Sequence, residues 1–169
     1  MKPDHGYEAL RRLRMSRSNT DYFLTICTNE RRTGLTNPEV AHGLREEIEA
    51  IECAAHWTIR GAVIMPDHLH LLFTLHSGLP LGRAIARLKS KTKPALSTAS
   101  IRWQGNYYEH RLREGDPLEA VILYISLNPY RAGVIAPSEN YPWFWLGRQE
   151  TAWFKPQSDD GRPFPEWLC

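Results

Sequence analysis

The sequence predicts an α+β fold: a ferredoxin-like sandwich with helices packed on an antiparallel sheet, followed by an irregular C-terminal tail. Three observations predict it. Segments of strand and helix character follow one another in the order strand, helix, strand, strand, helix, strand, helix. The two middle strands are joined by a short turn at Pro66-Asp67, which makes them neighbours in an antiparallel sheet. The helices between strands carry one apolar stripe each, as helices lying on a sheet must.

Arg11-Arg12-Leu13-Arg14-Met15-Ser16-Arg17 reads as part of a flexible basic arm over about residues 1–20. Residues 22–28 are aromatic and β-branched, a strand. Asn37-Pro38-Glu39 supplies an N-cap, a proline at the first helical position and an acid in the first turn. The helix it opens carries Val40, Leu44, Ile48, Ile51 and Ala55 on one stripe, with Arg45, Glu46, Glu49 and Glu52 opposite. Strands follow at 57–65 and 68–75, then a helix from about Leu81 into the 91–97 region and an extended piece over 101–108. Asp116-Pro117-Leu118-Glu119 reads as an Asp-capped helix start with Pro at N1. That helix, Leu118 to about Asn128, is almost all apolar and must be buried on most sides, and Pro129 ends or kinks it. From about 137 to 169 the chain is rich in Pro and Trp without periodicity, a tail wrapped on the body.

Composition bounds the function. The 169 residues fit one domain with a real core, and 42% apolar and 24% charged residues are ordinary for a soluble globular protein. A net charge of +2 does not by itself indicate nucleic acid, so the clustering of the positives matters more than their sum. Cys27, Cys53 and Cys169 are widely spaced with no CxxC, which argues against a disulfide framework or zinc ribbon. With no signal peptide and no apolar run of membrane-spanning length, a soluble cytoplasmic protein without a membrane partner is expected.

The residues that suggest chemistry are few. His68 and His70 lie two apart in an apolar strand, so both imidazoles project from one face. Either each is a hydrogen-bonded core histidine, or the pair holds a divalent metal. On the last helix Tyr124 and Asn128 are four apart and share a face. Taken singly, Tyr124 is a core tyrosine and Asn128 a helix-ending residue. Taken with the histidines, the Asn128 amide oxygen suits a hard cation such as Mg2+ or Mn2+, and a phenol beside a metal-polarised group is a nucleophile. On the second helix Arg83, Arg87 and Lys91 form a stripe at i, i+4 and i+8, joined by Lys89 and Lys93 and free of acids. It is either a solvated face or a surface for phosphates. Trp103, Tyr107 and Tyr108 are either core aromatics or platforms for unpaired bases. His110 is a minor candidate for the site, and His76 is expected on the surface.

Val63-Ile64-Met65-Pro66-Asp67-His68-Leu69-His70-Leu71-Leu72, followed by Tyr124-Ile125-Ser126-Leu127-Asn128-Pro129-Tyr130-Arg131-Ala132-Gly133-Val134, resembles the REP-associated tyrosine transposases. These are single-tyrosine HUH transposases, named for the His–hydrophobic–His motif. The resemblance also takes in residues 22–28, 103–110 and Tyr141-Pro142-Trp143, hence most of the chain between about Arg11 and Trp143. It implies the ferredoxin-like fold and the cutting and rejoining of single-stranded DNA at repeated extragenic palindromes, which form hairpins. The implied nucleophile is Tyr124, which stays joined to the 5′ end and releases a 3′-hydroxyl. His68 and His70 are the implied metal ligands, and Asn128 stands where relatives carry an amide ligand, Gln in some of them. In relatives a basic segment at the place of Arg11, Arg12 and Arg14 helps read bases beside the hairpin. The expected protein is a monomer or homodimer. Two other classes compete: a single-stranded nucleic-acid binder on the same scaffold that does not cut, and a metallohydrolase of the barrel type. A barrel needs roughly 250 residues, more than this chain has.

Overall fold

The computed structural model of the protein describes residues 16–148. Its elements are β1 (Thr20–Cys27), α1 (Pro38–Cys53), β2 (Trp57–Ile64), β3 (His68–Leu75), α2 (Leu81–Thr98), β4 (Tyr108–Arg111), α3 (Leu118–Arg131) and β5 (Phe144–Leu146), with a 3-10 turn at Asn29–Arg31. The five strands form one sheet in the order β4-β1-β3-β2-β5, every neighbouring pair antiparallel. The first four have the ferredoxin-like order, and β5 extends the sheet at the β2 edge. An open antiparallel sheet of this kind excludes the barrel hydrolase.

Helices cover both faces of the sheet. Leu24, Ile26, Leu69, Leu71 and Phe73 face α1 and α2, where Leu44, Ile48, Ile85 and Leu88 meet them. Phe23, Val63 and Leu72 face α3, packing on Val121, Ile122 and Ile125. This two-sided cover is why β3 reads as a near-continuous apolar run rather than an alternating one. Each fully buried Leu, Ile or Phe is worth about 1.5–3 kcal/mol relative to exposure. Slipping β3 by one residue would exchange its two faces, so the register is strongly fixed. The position of the two histidines on the α3 side follows from that register.

Helix ends show where local reading succeeds and fails. Asn37 caps α1 as predicted, its side chain accepting from Glu39 N at 3.2 Å with Pro38 in the first turn. Ala55 does not continue the apolar stripe. It adopts φ 55° just past the helix, where Ala55 N donates to Glu52 O and His56 N to Ile51 O, the double closure of a left-handed C-terminal cap. Asp116 is not the cap of α3. Pro117 takes that place with no side-chain bond, because the Asp116 carboxylate is already engaged by Arg113 N at 2.8 Å and His110 Nε2 at 3.2 Å. Pro129 does not end α3, which runs on to Arg131. Loss of one donor at Pro129 is offset by a closed last turn, Gly133 N to Tyr130 O and Val134 N to Pro129 O, with Gly133 at φ 64°.

Two further corrections concern strands. The extended piece over 101–108 is a loop, joined to the end of β1 and the residues after it by Gln104 N to Cys27 O, Asn29 N to Arg102 O and the Thr28–Trp103 bridge, and the strand starts at Tyr108. The indole of Trp103 turns inward to Thr92 Oγ1 at 2.9 Å, which takes that stretch off the sheet edge. In the supposedly irregular tail, Phe144–Leu146 forms β5, paired with Val63, Ala62 and Gly61 of β2. No alternation marks a three-residue edge strand. The arm residues Arg11, Arg12 and Arg14 and the tail beyond 148 lie outside the described residues.

Candidate active site

One row of the sheet sets the site: Tyr108 of β4, Thr25 of β1, His70 of β3, Val63 of β2 and Phe144 of β5 are register partners across five strands. Partners in register share a face, so Thr25 and Tyr108 stand beside His70 on the α3 side. His68 follows two residues away on the same face. The Nε2 atoms of His68 and His70 approach to 3.1 Å. His70 is 4% exposed, its ring stacked on Phe23 with centroids 5.3 Å apart at 25°.

From above, α3 lowers two side chains onto this pair. The ring of Tyr124 lies 5.6 Å from that of His70 and 6.2 Å from that of Phe23, edge-on to both. One helical turn later, Asn128 Nδ2 lies 3.4 Å from His70 Nε2. A half-turn of that amide brings its carbonyl oxygen to the same place. Tyr124 and Asn128 are each half-buried in a helix whose other residues from Val121 to Leu127 are buried. The sandwich thus brings His68, His70, Tyr124 and Asn128 together within one chain.

The other ring nitrogens are held. His70 Nδ1 bonds Thr25 Oγ1 at 2.9 Å. His68 Nδ1 lies 2.7 Å from Asp67 Oδ1, and Asp67 Oδ2 takes Arg31 Nε at 2.7 Å. Burial lowers the pKa of His68, against the hydrogen bond and charge of Asp67. Burial also lowers that of His70 well below 6.5, helped by His68 and Arg31. Both rings are therefore neutral near pH 7, with lone pairs to offer.

These donors could hold a divalent cation. Two ligand atoms each about 2.1 Å from an octahedral ion and at right angles stand about 3 Å apart, which matches the 3.1 Å between the Nε2 atoms. The Asn128 amide supplies a further donor. Among the described residues no group of three or more His, Cys, Asp or Glu is placed to bind a metal, and Asn128 is the side-chain donor set beside the two histidines. The lowered histidine pKa values also give a stability expectation. The unfolded chain binds protons at 6.5 while the folded rings resist them, so stability falls as pH falls below 6.5. One histidine can contribute a slope of at most about 1.4 kcal/mol per pH unit, and His70, with the larger shift, contributes the more. Thermal unfolding between pH 7.5 and 5 should show it, with a shallower slope in His70→Asn.

Of the predicted DNA-contacting residues, Arg83, Arg87, Lys89, Lys91 and Lys93 lie among the described residues, and they are not assembled at the histidines. They sit on α2, across the sheet from α3. Arg83, Lys91 and Lys93 are exposed. Arg87 instead pairs with Glu47 of α1 at 3.2 Å. Lys89 binds the carbonyl oxygens of Gln104, Gly105 and Asn106 at 2.7, 3.3 and 3.1 Å. The absence of acids on α2 did not reveal an acid on its neighbour. Of the three candidate stacking aromatics, Trp103 and Tyr107 pack on the core, whereas Tyr108 is 46% exposed in the row of His70. His110 is tied to Asp116, and His76 is half-buried against Thr58 Oγ1 at 2.7 Å. Thr25, Arg31, Asp67 and Arg102 went unmarked in the sequence. Arg102 is exposed and lines one cleft with Lys93, Arg32 and Glu30 near the His68 end of the sheet.

Comparison with known proteins bears on the family and the fold. Residues 16–127 match the family model described as transposase IS200 like. A REP-associated tyrosine transposase of Escherichia coli (strain K12) is 25% identical over 122 residues, 72% of this chain and 73% of that protein. The solved structure of a REP-associated tyrosine transposase bound to a REP hairpin superposes with a TM-score of 0.66 at 24% identity, covering 78% of this chain and 79% of that one. That likeness bears on the fold.

Proposed function

We propose that this chain, which belongs to the IS200-like transposase family, is a single-strand DNA endonuclease and strand transferase that works through a covalent 5′-phosphotyrosine at Tyr124. The observation that carries the reading is the placement of the Tyr124 ring 5.6 Å from His70 within one chain. The Tyr124 oxygen attacks the scissile phosphorus as the bond to the 3′ oxygen breaks. The 3′-hydroxyl so released can attack the phosphotyrosine in the reverse step, which rejoins strands. His68, His70 and Asn128 would hold Mg2+ or Mn2+, which supplies Lewis-acid polarisation of the phosphate when bound. Phe23 fixes the His70 ring from below, and Thr25 fixes its Nδ1. The substrate class is single-stranded DNA carrying hairpins of the REP kind, the ligand of the structurally similar transposase. We take the whole chain as one such domain, working in the cytoplasm. Among the described residues no helix is long and apolar enough to cross a membrane.

The test is direct. Purified protein mixed with single-stranded hairpin DNA and Mn2+ should yield a protein–DNA adduct that survives denaturation. DNA that is bound tightly yet never cut under any metal condition would leave a binding protein on the same scaffold. For the DNA path, Arg83, Lys91 and Lys93 of α2, with Arg102 in the neighbouring cleft, are the expected phosphate contacts. Lys93→Ala and Arg102→Ala should each weaken binding uniformly across sequences and flatten the log–log salt dependence by about 0.7. Arg87→Ala should change that slope less, because its charge is matched by Glu47.

A further inference from the structure

Next to the histidine pair lies a built arrangement with no evident packing purpose. Asp67 closes the β2–β3 turn and its backbone is pinned from the segment after β1. Its carbonyl accepts from Thr28 N at 2.9 Å and shares the single Thr28 hydroxyl hydrogen, at 3.0 Å, with Arg32 O at 2.7 Å, while the carbonyl of Pro66 accepts from Gly34 N and Leu35 N at 2.8 and 3.0 Å. Thr28 is fully buried. With its backbone held, the Asp67 carboxylate bridges two groups: Oδ1 to His68 Nδ1 and Oδ2 to Arg31 Nε, both at 2.7 Å. Arg31 is steadied in turn by Cys27 Sγ, 2.8 Å from its Nη1.

The backbone that delivers Arg31 is unusual. Glu30 and Arg31 both have left-handed φ, 56° and 55°, in sequence. Two consecutive non-glycine residues in that region cost more than an exposed ion pair returns, and the Arg31 side chain is 54% exposed. Stability therefore does not account for the arrangement, whereas strain of this kind gathers at functional sites.

We propose that Asp67, held by Arg31, is a positioning residue that fixes the tautomer and ring orientation of His68. The inference rests on the reading of His68 as a metal ligand. The distances decide the proton's place. A carboxylate only accepts, and at 2.7 Å Asp67 outcompetes the Arg31 Nη2 that stands 3.4 Å from the same nitrogen. His68 therefore carries its hydrogen on Nδ1 and directs the Nε2 lone pair toward His70 Nε2, 3.1 Å away. Carboxylate partners of ligating histidines orient the ring and raise its basicity in this way.

The experiment uses the full chain labelled with 15N at histidine, free of metal, together with Mn2+ titration by calorimetry. Wild type should show His68 as the Nδ1–H tautomer. Asp67→Ala should lose that preference and bind Mn2+ roughly 10–100-fold more weakly. Arg31→Ala should move both readouts the same way by less. Asp67→Asn retains an oxygen for Nδ1–H without the charge that holds Arg31, so it should fall between and partly rescue the tautomer. A merely structural Asp67 would shift the unfolding midpoint but leave tautomer and affinity at wild-type values in folded protein, and that result overturns the proposal. If His68→Ala binds Mn2+ as wild type does, the metal reading of the site has failed instead. The tautomer spectra then decide the positioning role alone.

Discussion

Tyr124→Phe is expected to abolish the covalent adduct while leaving fold and DNA binding intact. The substitution keeps the ring that stands edge-on to Phe23 and His70 and removes only the oxygen that would bond to phosphorus. Losing one hydroxyl from a half-buried side chain costs about 1 kcal/mol or less, so the unfolding midpoint should scarcely move. Removal of the nucleophile from an assembled site costs far more, roughly 10^4–10^6 in rate by analogy with other covalent mechanisms. The measurement is strand cleavage under single-turnover conditions with a labelled hairpin, read on a denaturing gel. Cleavage by Tyr124→Phe within tenfold of wild type would remove Tyr124 from the chemistry and point to hydrolysis by water.

The second large effect is expected at the histidines. His68→Ala should weaken Mn2+ uptake by more than the roughly 10–100-fold that loss of an outer partner brings, and cleavage should fall with it. His70→Ala should do the same and also destabilise the protein by on the order of 3 kcal/mol. It empties the space above Phe23 and leaves the Thr25 hydroxyl without its ring partner. His68 is thus the cleaner probe. Because Tyr124 and the histidines would act as a unit, the double variant His68→Ala/Tyr124→Phe should be little slower than Tyr124→Phe alone. Additive losses would mean that the two positions serve separate steps.

The candidate site was legible in unequal parts. His68 and His70 could be read as a pair because a strand has period two and because polar rings are conspicuous in an apolar run. Tyr124 and Asn128 could be read as a pair because a helix returns to one face every four residues. Asp67 and Arg31 could not be read. One looks like a turn residue and the other like one charge among many, and 36 positions separate them along the chain. The basic stripe of α2 was legible as charge but not as available charge. Glu47 and the carbonyls of 104–106, which engage Arg87 and Lys89, approach from other elements.

Periodicity and turn chemistry alone are enough for the three helices, three of the five strands and the α+β class, along with the two pairs of residues that suggest chemistry. Local geometry and periodicity carry that information. Long-range packing is what places β4 at Tyr108–Arg111, adds β5 to the sheet, carries α3 through Pro129 and lays α3 on the face bearing His68 and His70. These depend on which surfaces bury each other across long separations in the chain. The same is true of the 3.1 Å between the two Nε2 atoms, which combines a shared face with the rotamers that Thr25, Phe23 and Asp67 impose. A spacing of two fixes the face a side chain points to, but packing partners from elsewhere fix where its atoms come to rest.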